Sequence, residues 1–287
     1  MKKQVFTGCK VNYYLKTIRR RADHYHEIRT VFQYLSTPGD TVTFDFDAVS
    51  GIRAYCDDPA LPQDLGNLAG KAAARYAEAA GIAPCWEIAI QKGIPSAAGL
   101  GGGSADAGAV LKLLEEHYGL LGREKLLSLA AKLGADVPFF LTGGLALAEG
   151  IGEKIQQFSS TWLPPMLILN PGFPVSAKWA FEHLAPRRLA GDPDCGADKL
   201  LDALAEKDVH EMVRWMHNDL EYALFDKIPL LSIFRKSLLD AGALKVMVSG
   251  SGSSLFAVFA DPEQRSAAAK SLQACYPKET LVKVFEV

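Results

Sequence analysis

The segment from Gln91 to Leu111, Q-K-G-I-P-S-A-A-G-L-G-G-G-S-A-D-A-G-A-V-L, constrains this chain more than any other. Before it, Trp86-Glu87-Ile88-Ala89-Ile90 alternate well enough to read as a strand. After it, Ala105 to Tyr118 read as a helix, with Val110, Leu111, Leu113 and Leu114 at helical spacing. The order is strand, glycine loop, helix. Gly99, Gly101, Gly102 and Gly103 permit positive φ and close approach of the backbone to a ligand. Ser104 is placed to cap the helix. A helix N-terminus presents unpaired N–H groups and a partial positive charge, which suits a phosphate. A glycine-rich turn without a ligand is the bland alternative. No Gly-Lys-Ser/Thr follows the glycines, so the loop is not a Walker A motif. Glu115 and Glu116 fall inside the helix, and no acid ends a second strand as a dinucleotide fold requires.

The rest of the chain supplies candidate chemistry in separate blocks. Val5 to Leu15 reads as a strand, and Lys10 and Asn12 share one of its faces at period two. A polar segment, Arg19 to Glu27, ends in Tyr25 and His26; it reads as a solvated loop or as a binding element. Residues 40 to 56 alternate as a hairpin would. Asn67 starts an alanine-rich helix that Gly81 ends, and Asn67 alone could be a plain N-cap. Asp136 lies in Gly134-Ala135-Asp136-Val137-Pro138, as a turn former or a reactive acid. The pattern loosens at 152–164, where a domain boundary is expected. Leu167 to Pro171 reads as a strand, Val175 to Leu184 starts a helix with Phe181, and Arg187 to Ala197 reads as a mobile loop. Helices are expected at 198–206, 208–215 and 229–241, interrupted by His217 to Glu221. Lys245 to Phe259 reads as strand, glycine turn, strand, with Ser249 to Ser254 as a ligand-facing turn or a bulge. A helix over Glu263 to Ala274 and a strand over Thr280 to Val287 close the pattern.

Composition excludes several classes. With 49% hydrophobic and 22% charged residues, the 287-residue chain reads as one or two soluble domains. A net charge of −2 argues against bulk attraction to nucleic acid or membrane, so an anionic ligand must be met by local groups. Five cysteines without a C-x-x-C pair favour reduced thiols and a cytoplasmic location. No signal peptide and no membrane span are expected.

The glycine loop resembles the P-x-x-x-G-L-G-x-x-x-A loop of the GHMP kinases (galactose, homoserine, mevalonate and phosphomevalonate kinases). The tripled glycine followed by Ser and Asp is most similar to the branch that acts on a cytidine-diphosphate alcohol. That branch has an N-terminal signature matched here at Lys10, Asn12, Leu15, Arg21, Asp23, Tyr25, His26, Phe32 and Gln33. His24 departs where the family usually has glycine, and Ala105 where it usually has a second serine. The resemblance covers almost the full length in at least five blocks.

What the resemblance implies is specific. The fold would be α+β, with a ribosomal S5 domain 2-like ATP-binding domain over residues 1–160 and a ferredoxin-like domain over 161–287. Lys10 and Asp136 would be catalytic: Asp136 accepts the hydroxyl proton, and Lys10 keeps it ionised and offsets charge on the transferred group. ATP would be held by Asn67, Leu68, Lys92, Pro95, Ala97, Ala98, Gly99, Leu100, Gly101, Gly102, Gly103 and Ser104. Magnesium is expected on the nucleotide, with no protein ligands named. The small cytidine-diphosphate substrate would meet Asn12, Tyr25, His26, Phe181, Gly250 and Ser251. Tyr25 and Phe181 offer faces to sandwich cytosine, with His26 at its polar edge. Otherwise Tyr25 and Phe181 are ordinary core residues. No nucleic-acid or membrane partner is implied, and the chain would be a monomer or weak homodimer. The other readings are a homoserine- or mevalonate-type kinase, a non-catalytic nucleotide-binding protein and an RNA binder.

Overall fold

The computed structural model describes residues 1–48, 50–160, 162–184, 196–277 and 279–287. Most of the Arg187 to Ala197 loop, and Cys195, lie outside the described residues. The chain forms two compact units. Unit 1 comprises Met1–Cys9, Pro38–Ser96 and Gly101–Gly143; unit 2 comprises Lys10–Thr37, Ala97–Leu100 and Gly144–Val287.

Two long strands contribute to both units: β1 (Lys2–Arg20) and β2 (His26–Asp45). β1 outruns the expected strand at both ends. Its stretch from Cys9 to Leu15 is buried on both faces, which hides the alternation that would have marked it. The turn therefore starts at Arg21, and Arg19 and Arg20 belong to the strand.

In unit 1, β3 (Gly51–Cys56), α1 (Leu68–Ala80) and β4 (Cys85–Gln91) form a crossover. β4 runs parallel to β3, from Gly51 opposite Cys85 to Cys56 opposite Ile90. It runs antiparallel to β2, from Thr41 opposite Gln91 to Asp45 opposite Glu87. The expected hairpin over 40–56 is thus corrected: β4 sits between β2 and β3. Alternation shows which face of a strand is buried but not which strand lies beside it, and the helical connection brings β4 back parallel. β4 buries Trp86, Ile88 and Ile90 on one face, as its alternation predicts.

Asn67 caps α1, its side chain accepting from the Ala69 amide at 3.0 Å, and Gly81 ends the helix in the left-handed region at φ 67°. The small residues Ala69, Ala72, Ala73 and Ala77 let α1 lie close to α2 (Gly102–Tyr118). With Tyr76, Phe44, Trp86, Val110, Leu111 and Leu114 they make the core of this unit. Truncating Phe44 or Trp86 to alanine would cost about 3–5 kcal/mol. α3 (Gly122–Leu133) and α4 (Val137–Thr142) complete it.

Unit 2 pairs β2 with β5 (Leu145–Gly150), and β5 with β6 (Lys154–Phe158), a strand the loose pattern at 152–164 concealed. Its second sheet contains β7 (Met166–Asn170), β9 (Lys245–Val248), β10 (Leu255–Val258) and β11 (Lys283–Glu286). Their order is β11-β7-β10-β9, antiparallel throughout. In chain order that is 4-1-3-2, the ferredoxin-like arrangement. The helices are α5 (Ala177–Glu182), α6 (Gly196–Glu206), α7 (Val209–Trp215), α8 (Glu221–Lys227), α9 (Pro229–Asp240) and α10 (Pro262–Cys275). A two-residue strand, β8 (His217–Asn218), pairs parallel with Tyr14 and Leu15 of β1. α8 is a seven-residue helix that no sequence periodicity marks.

Cys9 and Cys56 are buried free thiols, and Cys85 and Cys275 are exposed free thiols. Among the described residues no helix is long and apolar enough to cross a membrane.

Candidate active site

The glycine loop leaves β4 at Gln91 and enters α2 at Gly102, three residues earlier than expected. Gly101 occupies the N-cap position at φ 75°, so Ser104 lies inside the first turn instead of capping it. Glycine makes this possible, because a side chain at φ 75° is strained. Among the described residues no side chain caps α2, which leaves its first amides without a side-chain acceptor there. A Cβ on Gly103 would meet nothing within 4 Å, whereas one on Gly102 would lie 3.1 Å from Ile94 Cγ2 and 3.4 Å from Lys92 Nζ.

The loop segment in unit 2, Ala97 to Leu100, is pinned by every one of its carbonyls. Val175 donates to Ala97 O at 3.1 Å, Ser254 to Ala98 O at 3.1 Å, and Lys10 N to Leu100 O at 3.0 Å. The Ser249 hydroxyl donates to Gly99 O at 2.9 Å. A Cβ on Gly99 would lie 2.0 Å from Ser249 O, so the approach of the 249–254 turn needs glycine. Gly250, at φ 53°, comes within 3.1 Å of Asn12 Oδ1 and 3.3 Å of Lys10 Nζ, measured from a Cβ built there. Ser251 follows it in the same turn. The segment His217 to Glu221 holds this turn from behind. Asn218 donates to Val248 O at 2.9 Å and Gly250 O at 2.8 Å, and Glu221 accepts from Val248 N at 2.7 Å. Asp219 accepts from Thr17 N at 2.7 Å.

Period-two spacing placed Lys10 and Asn12 on one face, and there they meet. Lys10 Nζ donates to Asn12 Oδ1 at 2.7 Å and lies 5.2 Å over the Phe32 ring. Asn12 donates to Thr30 Oγ1 at 2.8 Å, and Thr30 donates to Tyr14 O at 2.6 Å. A chain of donors thus fixes a buried ammonium, which is 5% exposed.

The turn 21–25 is closed by Arg21 N donating to Tyr25 O at 2.7 Å and by Tyr25 N donating to Asp23 Oδ1 at 3.1 Å. His24 takes φ 68° there, the region where the resemblance expects glycine. Tyr25 is 61% exposed, which rules out the core reading for it. His26 stacks on Phe181, with centroids 5.5 Å apart and planes at 20°. The ring facing Phe181 is therefore His26, not Tyr25. Burial, and then the nearby Arg20, hold the His26 imidazole below its usual range, so it is neutral at pH 7.

In unit 1, Asp136 stands half-buried at the N-cap position of α4 without capping it. Its turn is closed by Val137 N donating to Gly134 O at 3.1 Å. Asn67 is engaged as a cap, with Leu68 opening α1. Lys92 lies between two carboxylates: its Nζ is 2.5 Å from Asp40 Oδ2 and 2.8 Å from Asp106 Oδ2. Pro95 and Ser96 follow, with Ser96 Oγ donating to Asp58 Oδ2 at 3.2 Å. No sequence pattern marks Asp40, and Asp106 figures there only as the Asp that follows the tripled glycine, with no site role. No group of three or more His, Cys, Asp or Glu side chains suited to a metal occurs among the described residues.

Fold and loop together are those of a small-molecule kinase class. Residues 67–144 match the GHMP kinases N terminal domain, and residues 200–278 match the GHMP kinases C terminal domain. The chain is 39% identical over 267 residues to the 4-diphosphocytidyl-2-C-methyl-D-erythritol kinase of Geobacter metallireducens, covering 92% of each. It is 36% identical over 278 residues to the enzyme of that name from Acetivibrio thermocellus, covering 95% of this chain and 97% of the relative. A crystal structure of a 4-(cytidine 5'-diphospho)-2C-methyl-D-erythritol kinase superposes with TM-score 0.82 at 33% identity, over 99% of this chain and 98% of that one. A homoserine kinase from Cytophaga hutchinsonii, at 23% identity and TM-score 0.78 over 99% and 94%, shares the fold. The chain belongs to the GHMP kinases, in the family of the 4-diphosphocytidyl-2-C-methyl-D-erythritol kinases. It is an ATP-dependent small-molecule kinase.

Proposed function

We propose that this chain transfers the γ-phosphoryl group of ATP to the 2-hydroxyl of 4-diphosphocytidyl-2-C-methyl-D-erythritol, in the non-mevalonate route to isoprenoids. Residues 1–160 serve as the ATP-binding domain and 161–287 as the C-terminal domain. Asn67, Leu68, Lys92, Pro95 and the segment from Ala97 to Ser104 hold the nucleotide. The open space over Gly103 and the uncapped first turn of α2 suit the phosphates. Asp136 takes the hydroxyl proton, the freed oxygen bonds to the γ-phosphorus, and the bond to the ADP oxygen breaks. Lys10, fixed through Asn12, offsets charge on the group in transfer. Magnesium, when bound, neutralises phosphate charge. An ion carried on nucleotide phosphates needs few protein ligands, and the described residues hold no cage for one.

The observation that carries the substrate assignment is the exposed Tyr25 beside the His26–Phe181 stack. Phosphoryl transfer itself has no use for these rings, whereas a flat base does. Asn12, Gly250 and Ser251 complete the substrate side. An ATP-consumption screen with the cytidine-diphosphate alcohol, homoserine and mevalonate side by side tests the reading. It predicts turnover with the first alone; turnover with either of the others in its place overturns it.

A further inference from the structure

Asp40, Lys92 and Asp106 come from β2, from the loop just after β4 and from α2. Their side chains are 0%, 8% and 3% exposed. One ammonium meets two carboxylates, and nothing in phosphate binding requires this. Asp40 does more than pair. Its Oδ1 accepts from Gly93 N at 2.7 Å and Ile94 N at 2.8 Å, the first amides of the glycine loop. The Lys92 amide donates to Asp57 Oδ1 at 2.8 Å. Ile94, 2% exposed, fills the space against Gly102. The Asp106 carboxylate is set on α2 near its start, and its Oδ1 is buried with no hydrogen-bond partner among the described residues. Buried ion pairs contribute little net stability, because desolvation offsets their attraction. An incompletely satisfied one contributes less still, which points to a use other than stability.

We infer that Asp40, Lys92 and Asp106 form a clamp that positions the phosphate loop, with Lys92 a positioning residue and not a phosphate ligand. The clamp ties the loop's entry to the first turns of α2, so the amides that receive phosphate keep their spacing. This rests on the reading of the loop as the ATP site, and it assigns Lys92, Asp40 and Asp106 a shared role in that site. It separates from the alternative by sign. If Lys92 bound phosphate directly, releasing it from Asp106 would leave more of its charge for ATP, and affinity would hold or rise. If it acts through the loop, releasing it loosens the loop, and affinity falls.

The test is calorimetry of Mg·ATP on the full chain without the second substrate. It compares wild type, Asp106→Ala, Asp106→Asn and the isosteric Asp40→Asn. A displaced loop of this kind costs on the order of tenfold in affinity. Asp106→Ala and Asp40→Asn should each show that loss. Asp106→Asn, which keeps an acceptor for Lys92, should recover most of it. In the full reaction the loss should appear in KM for ATP more than in kcat. Unchanged or tighter ATP binding in Asp106→Ala, or in Asp40→Asn should the alanine variant not fold, overturns the clamp. Absence of ATP binding by wild type would instead overturn the reading of the loop.

Discussion

Lys10 Nζ donates to Asn12 Oδ1 at 2.7 Å, and the two side chains are 5% and 2% exposed. The ammonium is thus held by an acceptor that is itself fixed by Thr30. Asn12→Ala removes an acceptor for Lys10 and the donor to Thr30. Loss of buried hydrogen bonds of this kind costs about 1–3 kcal/mol. The melting temperature should fall by a few degrees, and kcat should fall further than that stability loss explains, because Lys10 loses its aim. Stopped-flow or steady-state kinetics with a thermal melt read both. An unchanged kcat would remove Asn12 from the positioning of Lys10.

Gly103 gives a cleaner probe of the phosphate loop than Gly102. A side chain at Gly102 must push on Ile94 and Lys92, so a loss of ATP binding there would mix packing with access. A side chain at Gly103 meets open space. Gly103→Val should melt within a few degrees of wild type and yet bind ATP at least about tenfold more weakly, since the side chain stands where phosphate must approach the backbone. Calorimetry showing wild-type ATP affinity would make the loop a structural turn only.

His24 occupies the left-handed region at φ 68°, where a side chain costs roughly 1–2 kcal/mol. His24→Gly should therefore raise stability by about 1 kcal/mol after the entropy that glycine adds to the unfolded chain. A urea midpoint shifted upward with unchanged slope checks this. A midpoint shifted downward would mean that the His24 side chain makes a contact worth more than the strain.

Burial pushes the Asp106 carboxyl up, to about 7, against the pull of Lys92 and with the help of Asp40. The folded-state value lies above the unfolded one, so the folded chain holds this proton more tightly. The stability it contributes is fully present below the ordinary carboxylate range. It is lost as pH rises toward and through about 7, and it is level above that. Lys92, Asp40 and, at the Lys92 amide, Asp57 are the charged groups around it. Urea titrations at several pH values should show wild type losing stability relative to Asp106→Asn between about pH 4 and about pH 7. A constant difference across that range contradicts the assignment.

Local pattern carried the parts of the site that are local. Four glycines between an apolar strand and a helix marked the loop, and period two placed Lys10 beside Asn12. Asn67 and Gly81 bounded α1 as their capping chemistry requires. What escaped is long-range or short-lived in sequence. Asp40 and Asp106 lie 52 and 14 residues from Lys92, and no spacing rule links them. The pairing of β4 between β2 and β3 depends on a crossover that alternation does not encode. α8 spans seven residues directly after a polar interruption, too short for a period to show. The exposure of Tyr25 and the stacking of His26 on Phe181 depend on residues more than 150 positions apart in chain order.

Under the proposed function, Tyr25, His26 and Phe181 read a cytosine. Competition between the cytidine and uridine forms of the diphosphate substrate tests it most directly, on wild type, Tyr25→Ala and His26→Ala. A lost base–aromatic stack is worth about 1–3 kcal/mol, roughly 5- to 150-fold. Tyr25→Ala should therefore weaken the cytidine substrate within that span while ATP affinity stays near wild type. His26→Ala should in addition narrow the preference for cytidine over uridine, because an edge-directed hydrogen bond goes with it. Wild type that does not distinguish the two forms, or variants that lose melting temperature but keep both affinity and preference, would contradict the account.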